Sequence, residues 1–500
     1  MTRVAGLALA ALLYAAAAPP WSVDALAPVA LVPVLLALRG LGTAAGFVIG
    51  AAYGVALAAA VTWWSPGMFA RFFGIPAPLA ALASLGMYLL CVGVPVGLFG
   101  AGTARLLDAP RVVAYAGIPA LWVGGELVRT SLFTGLPWEF LGHALYRRTT
   151  LIQIADATGA YGLSWLCALS ALAVADLLRP VGRGQPDRRR AAAMIAVAAA
   201  CWGATAAYGR WRLAAWREAG DVLSVAVVQT NTPPSRDVSY MSALVTLARN
   251  ARLTRAGVGE AAPGLVVWPE NSAGFAVGQD PDALAALRTL ADETRAVLLV
   301  GGPRREPDGL RNAAYAIDGD GILGSYDKVR LVPFAEYAPL GLRFLSAPAA
   351  VLRPGAGVRP VPSPGGPLGV MICYEVLYPR LARALVARGA RLLVNISNDE
   401  WSDPRGVAAA AQHFSMAVFR AVEARRYLVR AATTGISGVI APTGRSEGVV
   451  PVGVADVLRT TVRLLDGRSP YVRFGDAFAW GCVALAAVAL AARRIGEAAA

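Results

Sequence analysis

The chain has 500 residues, enough for roughly two to four domains by length alone. With 56% hydrophobic residues and a mean hydropathy of +0.53, it is too apolar to live entirely in water, and part of it is expected in lipid. A formal net charge of +14 suits anionic lipid or positive-inside loops; no zinc-finger spacing or RNA-recognition signature supports nucleic acid, and His143 and His413 are too far apart for a histidine metal cluster.

A helix needs about 20 apolar residues to cross the hydrocarbon core. Seven candidate spans come first: Val4–Ala18, Ala25–Leu38, Leu41–Trp63, Leu79–Leu106, Val112–Thr130, Gly159–Leu178 and Ala191–Tyr208. An eighth, Asp476–Ala492, follows a long polar stretch. The expected domains are therefore 1–208, 209–475 and 476–500. With the N-terminus in the cytoplasm, Arg39, Arg105, Arg111 and the cluster Arg179, Arg183, Arg188, Arg189 and Arg190 fall on the cytoplasmic side, as do Arg493 and Arg494. The opposite short loops hold chiefly Arg71, Arg147 and Arg148. This asymmetry places the polar insert outside the cytoplasm and both termini inside. Val4–Ala18 could alternatively be a cleaved signal peptide, but a second span follows at once and the parity of loop charge works with the first retained.

The insert alternates short apolar runs with Arg/Ala-rich helical stretches. Strands are predicted at Ser224–Gln229, Gly264–Trp268, Val297–Val300, Asn312–Ile317, Leu368–Ile372, Leu392–Ile396, Tyr427–Ala431 and Gly438–Ala441. Helices are predicted at Tyr240–Thr254, Pro281–Glu293, Pro379–Arg388 and Ala408–Arg425. Asp318-Gly319 and Asp320-Gly321 mark a hairpin turn. The pattern is that of a layered α/β domain.

Three segments pair a strand end with a reactive side chain. Val266-Val267-Trp268-Pro269-Glu270-Asn271 runs a buried strand into a proline and delivers a carboxylate just beyond it. The stretch Ser325–Tyr337 carries Lys328, the only lysine among 46 Lys and Arg residues, and Glu336 eight positions later. A lone lysine in so arginine-rich a chain points to a site that needs a compact ammonium. Gly369–Glu375 ends an apolar strand in Cys373, Tyr374 and Glu375. Of the 5 cysteines, Cys91, Cys167, Cys201 and Cys482 sit in apolar runs, so Cys373 is the one thiol of the polar region and has no disulfide partner there. A thiol at a strand-to-helix turn near a helix N-terminus is expected to favour thiolate. Glu, Lys and Cys make a chemical set: a base for the thiol proton, an ammonium for an oxyanion, and a nucleophile.

These segments resemble the Glu-Lys-Cys triad of the nitrilase (carbon–nitrogen hydrolase) superfamily. The flanks Trp268-Pro269-Glu270, Leu331-Val332-Pro333-Phe334 after Lys328, Ile372-Cys373-Tyr374-Glu375, Asn395-Ile396-Ser397-Asn398-Asp399 with Trp401, Gln412-His413 and Thr434–Ser437 are similar to the apolipoprotein N-acyltransferase family within it. Seven spans, an extracytoplasmic nitrilase-like domain and an eighth span match that family's plan. The resemblance implies an αββα sandwich beside a multi-span helical membrane domain in a bacterial inner membrane. It implies Glu270 as general base, Lys328 as oxyanion stabiliser, Cys373 as nucleophile and Glu336, Tyr374 and Glu375 as supporting residues. It also implies a cofactor-free reaction in which the sn-1 acyl group of a phospholipid, usually phosphatidylethanolamine, passes through a thioester to the N-terminal amine of a diacylglyceryl-apolipoprotein. A monomer with no nucleic-acid partner is expected.

The chain departs from the family pattern at Ser402-Asp403 after Trp401, at Ala335, at Thr433 and at Val238, Ser239 and Tyr240, which bears on acyl-chain and headgroup fit. Pro339–Leu352 is apolar and is expected either as a mobile arm toward the bilayer or as a core helix. A membrane-anchored amidase would share the triad. A transporter would place ionisable groups at the bilayer midplane, whereas Glu126 and Asp176 lie toward span ends.

Overall fold

The computed structural model describes residues 2–178, 188–217, 219–232, 239–260, 262–341, 351–400 and 407–498. Most of the expected arm Pro339–Leu352, most of the basic loop 179–190 and the positions 401–403 and 238 lie outside the described residues. The chain forms two compact units. One comprises Met1–Pro66, Ala77–Trp216 and Phe474–Ala500, the other Gly67–Pro76 and Arg217–Arg473.

The first unit is helical. Among the described residues, Thr43–Val61, Ala77–Leu106, Ala191–Ala215 and Ala477–Ile495 are long and apolar enough to cross a membrane. Thr149–Thr158 and Tyr161–Leu177, bent by 114°, make a fifth if taken together, and Arg3–Ala17 and Asp24–Leu38 are shorter apolar helices. The helix Arg111–Arg129 carries charge, and its polar groups turn inward: Glu126 Oε1 accepts from Trp122 Nε1 at 3.1 Å and the Leu141 N–H at 2.8 Å, and Arg129 Nη2 donates to Trp138 O at 2.5 Å. Ionisable groups in an apolar unit persist when they find such partners.

Small residues set the tightest packing here. Gly46, Gly50 and Gly54 form one stripe of Thr43–Val61, and Gly93, Gly97 and Gly100 face it. A Cβ on Gly100 would lie 2.3 Å from Gly46 O and 2.8 Å from Gly50 Cα. The backbones are as close as they can be, the usual source of helix association in lipid.

The second unit is an αββα sandwich. Its strands are β1 (Asp221–Gln229), β2 (Leu265–Val267), β3 (Val297–Glu306), β4 (Gly309–Ile317), β5 (Ile322–Asp327), β6 (Leu368–Ile372), β7 (Leu392–Ser397), β8 (Leu428–Ala432), β9 (Ser437–Ile440), β10 (Ser446–Val450) and β11 (Asp456–Leu464). One sheet runs β11-β1-β2-β3-β4-β5 and the other β10-β9-β8-β7-β6. The first has a parallel centre, β1-β2-β3, with antiparallel strands on both sides; the second has three parallel strands, β6-β7-β8, at one end and antiparallel β9 and β10 at the other. Alternation decides the faces. Ala226, Val228, Val266, Trp268, Leu298 and Val300 pack with Leu247, Leu287 and Leu290 of the helices Tyr240–Val258 and Pro281–Thr294. The intervening Val225, Val227, Leu265, Val267 and Leu299 are buried on the other face. Strands covered on both faces read as continuous apolar runs, which is why the sequence shows them plainly. Helices Pro379–Ala387 and Val407–Ala424 cover the second sheet through contacts with β6 and β8.

The eight predicted strands and four predicted helices are present, with ends shifted by a few residues. The Asp-Gly turn joins β4 to β5. Strands β5, β10 and β11 were not predicted. They are partly exposed edge or near-edge strands carrying Gly, Ser, Arg or Thr, so their apolar content is diluted.

Gly100→Val is expected to lower the thermal midpoint of the detergent-solubilised protein by several degrees, while an exposed control on the same helix, Leu98→Ala, leaves it nearly unchanged. A thermal melt followed by scanning fluorimetry measures both; equal midpoints would mean the glycine contact carries no stability.

Candidate active site

Glu270 lies just past β2. Trp268 extends the pairing through its N–H to Leu299 O at 2.8 Å, and Pro269, lacking an N–H, ends it. Gly301 on β3 permits the turn: a Cβ there would meet Asn271 N and Pro269 O at 2.6 Å and Glu270 Cα at 2.8 Å. Glu270 is buried. Its Oε1 accepts from Asn312 Nδ2 at 2.7 Å and Lys328 Nζ at 3.2 Å, and its Oε2 from the Asn398 N–H at 2.9 Å.

Lys328 follows β5 directly, and its N–H donates to Asn312 O at 2.8 Å. Only 1% of the residue is exposed. Its ammonium donates to Glu336 Oε1 at 2.8 Å as well as to Glu270. Burial works against the charge, but Glu270, Glu336 and Cys373 outweigh it and hold Lys328 well above the ordinary lysine range. Glu336 is fixed by its own turn, since Oε2 accepts the Val332 N–H at 2.7 Å.

Cys373 follows β6 directly with a left-handed backbone, φ 51°, which breaks the strand conformation at the thiol. Its thiol lies within electrostatic reach of Glu270 and Lys328. The thiolate expected at this turn is not what the surroundings favour. The α-helix starts only at Pro379, after a 3₁₀ turn at Cys373–Leu377. Burial pushes the thiol up, Glu270 and Asp399 push it further, and Lys328 opposes them. The resting group is a protonated thiol, with Sγ 3.9 Å from Asn398 O, to which it donates.

Glu375 is a clamp. Its Oε2 accepts the Ile372 N–H at 2.8 Å, beside Cys373. Its Oε1 accepts the Val329 and Arg330 N–H groups at 2.7 and 3.0 Å and the Tyr326 hydroxyl at 2.9 Å. One carboxyl thus joins the end of β6 to the lysine segment. Burial pushes it up to about 7 against these donors and Lys328. Tyr374 packs edge-on against Tyr378, ring centroids 5.3 Å apart, and Arg330 lies over the Tyr378 ring at 5.2 Å.

The three segments singled out in the sequence therefore converge. Two residues were not assigned a role from sequence. Asn312 bridges Glu270 and Glu336, at 2.7 and 3.3 Å, and Asn398 gives Glu270 its backbone donor. An asparagine opening the apolar run 312–317 was the available signal for the first, and the Asn395–Asp399 motif for the second. Among the described residues there is no group of His, Cys, Asp and Glu suited to a metal.

Comparison with known proteins gives the family. Residues 224–455 match the carbon-nitrogen hydrolase family and residues 10–173 the apolipoprotein N-acyltransferase N-terminal domain. The chain is 36% identical to the apolipoprotein N-acyltransferase of Geobacter metallireducens, over 97% of this chain and 94% of that one. The chain belongs to the apolipoprotein N-acyltransferase family. It is an acyltransferase built on a nitrilase-type domain. The Pseudomonas aeruginosa apolipoprotein N-acyltransferase is 30% identical, again over 97% and 94%. A carbon-nitrogen hydrolase from Helicobacter pylori aligns with 51% of this chain and 94% of its own, at 19% identity and a TM-score of 0.39.

The charges around Cys373 predict opposite responses in two variants of this N-acyltransferase family member. Glu270→Gln removes a group that raises the thiol, so the thiolate midpoint falls; Lys328→Met removes the group that lowers it, so the midpoint rises. Difference absorbance of thiolate against Cys373→Ala, titrated with pH, reads both directions. Lys328→Met also leaves two carboxylates without their cation and is expected to cost about 3 to 5 kcal/mol of stability in a denaturant titration.

Proposed function

We propose that this chain transfers the sn-1 acyl group of a phospholipid, phosphatidylethanolamine as donor, through a Cys373 thioester to the α-amine of the diacylglyceryl-cysteine that begins an apolipoprotein. The observation that carries this reading is the buried contact of the Lys328 ammonium with Glu270, beside a protonated thiol.

Glu270 takes the Sγ proton as the sulfur attacks the ester carbonyl. Lys328 donates to the oxygen that becomes negative, in a site where little water competes. Collapse of the tetrahedral intermediate breaks the ester C–O bond, and Glu270 returns the proton to the departing lysophospholipid oxygen. In the second half the neutral amine attacks the thioester, Glu270 accepts its proton and passes it to the departing sulfur as the C–S bond breaks, giving the N-acyl product, the thiol and the free carboxylate. Glu336 and Asn312 hold Lys328 and Glu270 in register, and Glu375 and Tyr374 support the nucleophile's turn. No cofactor enters.

The protein is read as a monomeric inner-membrane enzyme with both termini cytoplasmic and residues 209–475 on the periplasmic side. Three ion pairs support the parity of that arrangement. Asp24 with Arg148 (2.6 Å) and Asp156 with Arg212 (2.6 Å) join segments assigned to the outer side, and Arg39 with Asp176 joins two assigned to the inner side.

Incubating the purified protein with phosphatidylethanolamine in detergent and measuring its intact mass tests the chemistry. The unaltered chain is expected to gain one acyl group, removable by hydroxylamine, and Cys373→Ala none. Lys328→Met is expected to slow the gain by on the order of 100- to 1,000-fold. No gain in the unaltered chain, with turnover of small amides instead, would replace the acyltransferase reading by an amidase.

A further inference from the structure

Beneath Cys373 lies a second buried cluster that the reaction above does not use: Arg430 on β8, Asn395 on β7, Asp399 just past β7 and His413 on the helix Val407–Ala424. All four are buried, against strands that are otherwise mostly apolar. An ion pair in such a place could be replaced by apolar side chains at little loss, so its presence calls for a reason.

Proton accounting supplies one. A guanidinium can only donate. Arg430 Nη1 meets Asn395 Oδ1, which therefore is the amide oxygen, leaving Asn395 Nδ2 to donate to Met371 O at 3.0 Å and Cys373 O at 3.5 Å. Arg430 Nη2 lies 3.1 Å from His413 Nδ1, and His413 Nε2 lies 3.2 Å from Cys373 O. A carbonyl oxygen can only accept, so Nε2 carries a hydrogen; Nδ1 lies 3.1 Å from Asp399 Oδ1 as well as from Arg430 Nη2, and in a neutral ring it keeps its lone pair, which only Arg430 can use. Asp399 neutralises Arg430 through Oδ2 at 2.7 Å, and its Oδ1 accepts from Ser397 Oγ at 2.8 Å. Burial, and then the Arg430 charge, holds His413 below the ordinary histidine range, in keeping with a neutral ring. Gly435 leaves room for the carboxylate: a Cβ there would lie 2.0 Å from Asp399 Oδ2.

We infer that Arg430 is a positioning residue for the nucleophile: by fixing which end of Asn395 and which nitrogen of His413 donates, it aims two buried donors at the carbonyl of Cys373 and so holds the left-handed backbone that presents the thiol. A non-glycine residue at positive φ persists only where its surroundings over-determine it, and here two donors grip the peptide on its C-terminal side. Asn395 and His413 are each reversible in principle, by amide flip or tautomer shift. Arg430 opposes both at once, at His413 Nδ1 against the Asp399 Oδ1 that also faces it, and its fork spans two acceptors that a lysine ammonium could not reach together. The inference rests on the thioester reading of Cys373.

Two substitutions at His413 separate positioning from bulk. Gln places an amide N–H where Nε2 stands and keeps the donor to Cys373 O. Asn places its amide near Nδ1 and leaves that carbonyl without it. Single-turnover thioester formation with phosphatidylethanolamine, followed by intact mass on the full-length protein, is expected to remain within about threefold in His413→Gln. It is expected to fall on the order of 10- to 100-fold in His413→Asn with the half-saturating lipid concentration unchanged. Asn395→Asp, which keeps the Arg430 contact but turns a donor under Cys373 into an acceptor, is expected to show the same loss. Rates are taken per folded molecule, with thermal midpoints measured alongside. Equal rates in the Gln and Asn variants, losses that follow the midpoints, or an unaffected Asn395→Asp would overturn this inference while leaving the acyltransferase reading intact. Absence of any thioester in the unaltered protein would overturn that reading and this inference with it.

Discussion

A full positive charge sealed from water at Lys328 is the constraint from which the site follows. Burying an ammonium costs several kcal/mol unless counter-charges and hydrogen bonds replace the water it loses. Glu270 and Glu336 supply both, at 3.2 and 2.8 Å. Two carboxylates against one ammonium leave the pocket anionic, and an anionic, desolvated pocket keeps the neighbouring thiol protonated. The expectation of a thiolate primed by a helix terminus fails for this reason. The consequence for chemistry is favourable. When the Cys373 proton passes to Glu270, one buried anion replaces another, the total charge is unchanged, and Lys328 continues to face a negative partner. On the proposed mechanism the thiolate is then made only as an ester carbonyl consumes it.

Such a site requires three segments, far apart in sequence, to meet within a fraction of an ångström. The sandwich brings together the ends of β2 and β5 in one sheet and β6 in the other, but strand ends alone leave loops free to drift. Carboxyl groups close the gap by accepting backbone N–H groups from one another's segments. Glu270 takes the Asn398 N–H from beyond β7, and Glu375 takes N–H groups from both the end of β6 and the Lys328 segment. A backbone donor cannot rotate away as a side chain can, so these bonds set position as well as energy. The same carboxyl at Glu375 is pushed up to about 7 by its burial, which shows how much desolvation the clamp tolerates for its geometry.

Much of this is legible in the amino-acid sequence. The parallel strands are buried on both faces and therefore spell themselves as Val, Ile and Leu runs; β6 and β7 were placed almost to the residue. The triad was legible because its members are chemically anomalous in context: one lysine in an arginine-rich chain, one cysteine in a polar region, one glutamate straight after Trp-Pro. The edge strands β10 and β11 were not legible, because half-exposed positions accept Arg, Ser, Thr and Gly and lose the apolar signature. Asn312 was missed for another reason. Its role is to bridge two carboxylates that meet only in the folded chain, and no local pattern marks that. The thiol's protonation was likewise a property of the assembled pocket, since the Glu270 that raises it stands more than a hundred residues away.

The triad itself is indifferent to what finally receives the acyl group. Water and an amine would both be activated by Glu270 and would both break the same thioester, so selection between hydrolysis and transfer has to come from what reaches the sulfur. The thiol is nearly closed to solvent, with a carbonyl, a carboxylate and an ammonium occupying its polar surroundings. A water molecule entering there must give up most of its hydrogen bonds. An amine tethered to lipid chains enters with its desolvation offset by the burial of those chains. On this argument the apolar mass in the rest of the sequence is part of the chemistry: a reaction that must exclude water is placed in a chain built largely to meet lipid.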